Sequence, residues 1–129
     1  MKSVNRDAPV MQMKKLLKRY QEISSFEDIN LERFDQPGSD DDAAIHIAAF
    51  LGYVNDIEFM LKHVVDVDLP GEIGNTPLHY AALNGHIEVV KLLLDAGAAP
   101  CSMNDYRDTP FDFISKNNSS LKALFNEFM

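Results

Sequence analysis

The sequence predicts an all-α protein built as a solenoid of stacked helix–turn–helix units. Three observations lead to this prediction: a 33-residue internal repeat, apolar residues at helical spacing within it, and glycine or proline at its turns. Shifting the chain by 33 residues aligns two copies, and a second shift aligns a third. The matched residues are His46 with His79, Ala48-Ala49 with Ala81-Ala82, Gly52 with Gly85, and Thr76-Pro77 with Thr109-Pro110.

The middle copy explains why each unit should be helical. Thr76 is a good N-cap, because its hydroxyl accepts from an orphan backbone N–H, and Pro77 then occupies the first helical position at no cost. Gly85 suits a left-handed C-cap. A second helix is predicted from Ile87 to Asp95 and ends before Gly97. Such a unit does not bury its apolar face alone, so it must stack on copies of itself. The apolar residues of the second helix are Ile87, Val90, Leu93 and Leu94.

The chain before the repeats predicts an N-terminal cap. Residues 10–23, VMQMKKLLKRYQEI, form an amphipathic helix that is expected to cover the exposed end of the first repeat. A membrane-surface or partner-binding helix is the alternative. Residues 24–42 are rich in acids and turn formers, and they predict a long loop with a turn at residues 36–39. The apolar residues near one face of the helix are Val10, Met13, Leu17 and Tyr20.

The segment GNTPLHYAALNGHIEVVKLLLDAGA, residues 74–98, resembles an ankyrin repeat over nearly its whole length. The TPLH box, the AAxxGH turn and the VVKLLL helix occur in order and at family spacing. The first copy keeps IHIAAFLG but has Ala43-Ala44 where Thr-Pro is expected, and the third begins DTPFDFI and resembles a C-terminal capping repeat. The resemblance implies an ankyrin-repeat solenoid with an N-terminal capping helix and a degenerate C-terminal capping repeat. The apolar stripe expected in that last repeat is Leu121, Leu124, Phe125 and Phe128.

The predicted organisation is one structural domain, since 129 residues leave no room for a second full one. Residues 1–37 are the capping helix plus the acidic loop. Residues 38–129 are the repeats, at about 38–70, 71–103 and 104–129. No stretch approaches 18 consecutive apolar residues, and the first residues lack the features of a secretory signal, so neither a membrane span nor a signal peptide is expected.

The charge is distributed unevenly along the chain. Residues 1–20 carry six bases and one acid, and the remaining residues carry six bases and 19 acids, which gives +5 and −13 within the total of −8. This surface would repel a phosphate backbone, so a basic protein partner is expected rather than nucleic acid. The alternative is that the charge serves only solubility. The single cysteine, Cys101, excludes an intrachain disulfide and suits a reducing, cytoplasmic compartment.

The residues that could carry chemistry predict no enzyme, no metal and no cofactor. His46 and His79 lie one repeat apart, which is not ligand spacing on one helix, and the resemblance implies that they tie neighbouring turns by hydrogen bonds. Cys101 lacks a catalytic context. The remaining candidates have simpler explanations: His86 at the family's GH turn, His63 as an isolated surface residue, Asp40-Asp41-Asp42 as a solvated polar turn, and Gly71 and Gly74 as turn residues.

The resemblance also implies one partner-binding surface, formed by the protruding turns and the exposed face of each first helix. At those positions large apolar side chains are surrounded by acids, which is the anatomy of a protein interface. The alternative is that Phe50 and Leu51 pack under the N-terminal helix or the acidic loop. The candidate residues are Asp40, Asp42, Phe50, Leu51, Glu72, Ile73, Asn75, Leu83, Asn84, Asp105, Tyr106 and Asp108.

These observations predict a stand-alone, non-catalytic binding protein that is a monomer on its own. Its size and acidity are similar to those of the ankyrin-type immunity proteins of bacterial toxin systems, which neutralise a cognate toxin, often a basic nuclease. The alternative is a scaffold, an adaptor or regulatory subunit of a larger complex, or a secreted ankyrin effector. Co-purification of a small basic nuclease would favour the first hypothesis, and a multi-subunit assembly would favour the second.

Overall fold

The computed structural model describes residues 8–64 and 66–129, and these residues are largely helical, as the repeat pattern predicts. The α-helices are α1 (Ala8–Gln21), α2 (Ala44–Leu51), α3 (Val54–Met60), α4 (Pro77–Leu83), α5 (Ile87–Asp95) and α6 (Ser119–Asn126). Short 3₁₀ turns cover Ser24–Phe26, Glu72–Gly74 and Pro110–Phe113. Because these two ranges contain no strand, the all-α prediction is confirmed.

The 33-residue period of the sequence recurs in the backbone of three turns. Each turn is closed by a hydrogen bond from a backbone N–H to the carbonyl four residues later, and each contains a residue with positive φ. The first turn begins at Gly38, later than the turn predicted at residues 36–39. The bonds run from Gly38 to Asp42 (2.9 Å), from Gly71 to Asn75 (2.8 Å) and from Asn104 to Asp108 (2.9 Å). The equivalent positive-φ residues are Asp41 (70°), Gly74 (74°) and Arg107 (67°).

The units stack in two layers of helices. α2, α4 and the turn Pro110–Phe113 lie side by side in one layer, and α3 and α5 are neighbours in the other. Four small residues of α2 and α4 are almost completely buried, which lets these helices approach closely, as the sequence predicts. They are Ala48, Ala49, Ala81 and Ala82.

The helix α5 has the predicted bounds but not quite the predicted buried face. Val89 is completely buried, whereas Ile87 at the first position of the helix is 42% exposed. Ile87, which the sequence groups with Val90, Leu93 and Leu94, is therefore not part of the buried face of α5.

Buried histidines cap the first helix of the first two units and bind it to a later turn. Thr76 N–H donates to Nδ1 of His79 (3.0 Å), so the ring proton lies on Nε2, which donates to the carbonyl of Asp108 (2.8 Å). These bonds have the tying role that the resemblance implies. His46 makes the corresponding bonds with Ala43 N–H (2.9 Å) and the carbonyl of Leu69 (2.7 Å).

Acid is expected to weaken these caps. Burial lowers the pKa of His46 and of His79 below the ordinary histidine value. The unfolded chain therefore binds protons at pH values where the folded chain does not, and the free energy of unfolding falls as the pH drops below about 6.5. We expect the urea midpoint to fall between about pH 7.5 and about pH 5.5, and to fall less steeply in His79→Gln. A midpoint that is constant over this range would contradict the expectation.

The segment between α1 and α2 contributes to the core, which the sequence prediction of a loop did not include. It has one 3₁₀ turn and no α-helix, but Phe26, Leu31 and Phe34 are only 0%, 6% and 1% exposed. The ring of Phe34 packs edge-on against Phe59 of α3, with 6.0 Å between centroids. The segment is thus an ordered cover for the first repeat, and His63, which follows α3, packs beside the same two rings.

The helix α1 lies against α3 and caps the solenoid. It begins and ends two residues before the predicted range 10–23. Val10 is 52% exposed, so its predicted place on the covered face is wrong, and Leu16 is buried in addition to the predicted Leu17 and Tyr20. The Tyr20 hydroxyl donates to the carboxylate of Asp56 in α3 (2.9 Å), and Arg19 forms an ion pair with the same carboxylate.

The third unit is degenerate, as the sequence predicts. Its first helix is reduced to the 3₁₀ turn Pro110–Phe113, in which Asp112 occupies the position of the capping histidine. The carboxylate of Asp112 accepts from the N–H (2.8 Å) and the hydroxyl (3.0 Å) of Thr109, and these bonds hold its pKa below the ordinary value. In α6, Leu121 and Phe125 are buried, but Phe128 lies beyond the helix end and is 38% exposed, which corrects the predicted stripe.

Candidate protein-binding surface

The predicted binding surface is assembled by hydrogen bonds that run from one turn to the next. Glu72 N–H donates to the carboxylate of Asp42 (2.9 Å), which joins the first turn to the second. Asp105 N–H donates to the carbonyl of Ile73 (2.9 Å), which joins the second turn to the third. The three turns are therefore fixed in one row, and we call them, together with the exposed ends of α2 and α4, the turn surface.

Each of the five apolar side chains predicted for this surface is exposed. Their exposed fractions are 43% for Phe50, 45% for Leu51, 40% for Ile73, 50% for Leu83 and 72% for Tyr106. The ring of Phe50 packs edge-on against Tyr80 of α4, with 5.9 Å between centroids. Among residues 8–42, neither α1 nor the segment that follows it covers Phe50 and Leu51, so the alternative does not hold for this described part of the chain.

The acids of the turn surface differ in exposure, and the Asp40 carboxylate accepts from Asp42 N–H within the first turn (3.1 Å). Asp40, Glu72 and Asp105 are exposed, whereas Asp42 and Asp108 are half-buried. Oxygens of Asp40, Asp42 and Glu72 lie within 4.8 Å of one another, and these are the residues best placed to hold a cation in the described part of the chain. The carboxylate of Asp42, however, already accepts from the hydroxyl of Tyr80 (2.8 and 3.0 Å) and from Glu72 N–H. Protein donors thus account for its position, and the description of Asp42 as part of a solvated turn is wrong.

Tyr80, in the middle of α4, supports the turn surface from beside it, and sequence reasoning missed this residue. It is half-buried between His46 and Phe50, with 5.9 Å between ring centroids in both pairs. Burial, together with the bond to Asp42, raises the pKa of the Tyr80 hydroxyl, so it remains a donor. The available signal was the repeat itself, because shifts of 33 residues align Tyr80 with Ile47 and Phe113, which are also half-buried.

The two predicted asparagines hold the surface in shape. Nδ2 of Asn84 donates to the carbonyl of Phe50 (2.7 Å), which also accepts from Nε2 of His86 (2.9 Å). Oδ1 of Asn75 accepts from Nδ2 of Asn104 (2.9 Å). These bonds connect neighbouring units, so both asparagines have structural roles at the positions predicted to face a partner.

Ile73 is exposed in a backbone conformation that does not suit it. It lies at φ 59°, ψ 21°, in the left-handed region, next to Gly74 at φ 74°. A β-branched residue rarely adopts this conformation, which costs about 1–3 kcal/mol. Asparagine, aspartate or glycine would fit the turn better. An isoleucine that is strained and 40% exposed does little for folding, which favours a role in contacts with another molecule.

Glycine at position 73 is expected to be better for the fold than alanine. Both substitutions remove the same exposed side chain, but only glycine removes the left-handed strain. The free energy of unfolding of Ile73→Gly should therefore be about 1 kcal/mol higher than that of Ile73→Ala. Urea titrations of the two variants and the wild type measure the difference. Equal stability of the two variants would show that residue 73 is not strained.

Comparison with known proteins identifies the same three repeats. A family model described as ankyrin repeats, in three copies, matches residues 11–125. No curated protein matches the chain, so the predicted similarity to immunity proteins stays a prediction. In the ranges that the structure describes, no helix is long and apolar enough to cross a membrane. Since the family model covers most of the sequence, the chain belongs to the ankyrin repeat family, a generally non-catalytic family of protein–protein interaction modules.

Proposed function

We propose that this protein is an inhibitor that binds a basic protein through the turn surface and holds it inactive. The observation that carries the proposal is the pairing of an exposed apolar residue with an exposed acid at two neighbouring turns. Glu72 precedes Ile73 in the second turn, and Asp105 precedes Tyr106 in the third. Apolar anchors with a charged rim are the usual composition of an interface centre and its edge.

The charge of the chain supports a basic partner. The residues after position 20 carry a net charge of −13, six bases against 19 acids. Such a field attracts a basic protein and raises its association rate, and exposed acids at the contact fix its orientation. The hydrogen bonds between turns present this surface in a fixed form, so binding as a nearly rigid body is part of the proposal.

A cognate basic nuclease toxin is the partner class that we favour, with the chain acting as its immunity protein in the cytoplasm and existing as a monomer without it. The small size, the acidity and the free, exposed Cys101 support this proposal. An adaptor or regulatory subunit, or a secreted effector, would use the same surface without inhibiting its partner. Inhibition is therefore the property that separates these functions.

The proposal is tested on a partner captured from native cells by the full chain and identified by mass spectrometry. We expect a basic protein whose activity falls in proportion to the chain added. Asp105→Lys should slow association and reduce the salt dependence of the association rate. The matched control Asp95→Lys, at the exposed end of α5, should change the rate and its salt dependence little. A partner that remains fully active when saturated would indicate an adaptor, and equal effects of the two substitutions would exclude the turn surface.

A further inference from the structure

We propose that a groove along α1 is a second docking site, which takes a short acidic segment of a protein partner with a large apolar side chain at its centre. The groove lies between α1 and residues 31–32, on a part of the molecule that the turn surface does not include. It is independent of the proposed function, because its charge has the opposite sign and its residues are different.

The shape of the groove suits apolar side chains. Leu17 and Leu31 line it as buried residues, Met13 is half-buried in it, and Val10 is 52% exposed toward the start of α1. Its volume is about 450 Å³, within the range of about 300–1,000 Å³ that is typical of ligand sites. From Val10 to Gln21 it follows about 16 Å of helix, a length that about five extended residues would cover.

The wall opposite α1 is fixed, and the backbone N–H groups of Leu31 and Glu32 already donate to glutamine side chains. Nε2 of Gln21 donates to the carbonyls of Phe26 (2.7 Å) and Ile29 (2.6 Å), and its Oε1 accepts from Leu31 N–H (2.7 Å). Glu32 N–H donates to Oε1 of Gln36 (2.8 Å). These two N–H groups are therefore not available to pair with the backbone of an occupant, and we expect side chains to carry the recognition.

The charges around the groove select an acidic occupant. The helix α1 contains no acid, and its Arg19 is already paired with Asp56. Lys14 and Lys18 are exposed at the groove, and Glu32 on the opposite wall is the acid that lines it. This local excess of positive charge lies on a chain that is otherwise acidic, so carboxylates that flank an apolar side chain would be complementary to it.

Two other occupants fit less well. A flat bilayer would reach Val10 and Met11, which protrude, but not Leu17 and Leu31, which are buried. A second copy of the chain would have to overcome the repulsion between two molecules of net charge −8. A short acidic segment avoids both obstacles, because its apolar side chain enters the groove and its few carboxylates lie beside Lys14 and Lys18.

The test uses the full chain and fluorescent peptides of about ten residues, each with leucine or phenylalanine between aspartates and glutamates. Matched peptides carry lysine in place of the acids, or serine in place of the apolar residues. We expect the acidic, apolar peptides to bind at least about ten-fold more tightly than the lysine peptides or the serine peptides. The double variant Lys14→Glu/Lys18→Glu and the variant Val10→Glu should lose this preference, and the control Lys91→Glu, exposed on α5, should keep it.

Two results would overturn the proposal outright. One is no difference in affinity among the peptides, and the other is that Lys91→Glu loses the preference for acidic, apolar peptides as fully as the double variant does. Binding to phosphatidylserine vesicles that requires Lys14 and Lys18, with no peptide binding, would assign the groove to a membrane. A concentration-dependent dimer that the double variant abolishes would assign it to a second copy. The same double variant should still bind the basic partner of the turn surface, so either proposal can fail without the other.

Discussion

Replacing Phe34 with alanine is expected to lower the free energy of unfolding by about 3–5 kcal/mol. Phe34 is 1% exposed and packs against Phe59 of α3 and beside His63. Its removal would leave a cavity under the segment between α1 and α2, which partial relaxation would not fill. The loss would equal a large part of the total stability of a small domain. Urea unfolding followed by circular dichroism measures it.

The neighbouring Arg33 provides the control for this prediction. Its side chain is exposed and forms an ion pair with Asp35 (3.0 Å), so Arg33→Ala should cost less than about 1 kcal/mol. If Phe34→Ala does not fold, Phe34→Leu keeps most of the volume and should remain folded, with a smaller loss of about 1 kcal/mol. A cost for Phe34→Ala no larger than that of Arg33→Ala would show that this segment does not belong to the core.

The contrast between the middle repeat and the N-terminal segment explains what was predictable in the fold. The bounds of α5, the N-cap at Thr76 and the left-handed Gly85 follow from local rules, and each agrees with the structure. Phe34 is buried against Phe59 of α3, and the ring of Phe26 lies against Gly38 of the first repeat, so tertiary packing accounts for their burial. Two aromatic residues eight positions apart within a segment of acids and turn formers do not define a continuous apolar face, so periodicity did not mark them as core residues.

The turn surface shows the same division between local and tertiary causes. Ile73 and Tyr106 were found because the repeat places them at turn tips, where exposure depends on local geometry. Asp42 and Tyr80 are 38 residues apart, and their hydrogen bond exists only after α2 and α4 have stacked. The sequence offers aspartate and tyrosine at suitable positions, but the choice of partner is made by packing, so the engagement of Asp42 inside the protein could not be predicted.

Removing both turn-tip anchors is expected to weaken partner binding by at least about 2 kcal/mol, or about thirty-fold in Kd. Tyr106 is 72% exposed and Ile73 is 40% exposed, and the bond from Asp105 N–H to the carbonyl of Ile73 holds the two turns together. Because this is a backbone bond, Ile73→Ala/Tyr106→Ala removes contact area without releasing the turns. The affinity of the captured basic partner, measured by calorimetry, tests the prediction.

The control for this double variant is Val10→Ala/Met11→Ala, which removes two side chains that are also exposed, at 52% and 53%, but lie on α1. Both double variants should unfold within about 1 kcal/mol of the wild type, because none of the four side chains is buried. The control should bind the basic partner like the wild type. Equal affinity of the two double variants would mean that the turn tips carry no binding energy, and the exposure of Ile73 in a strained turn would then need another explanation.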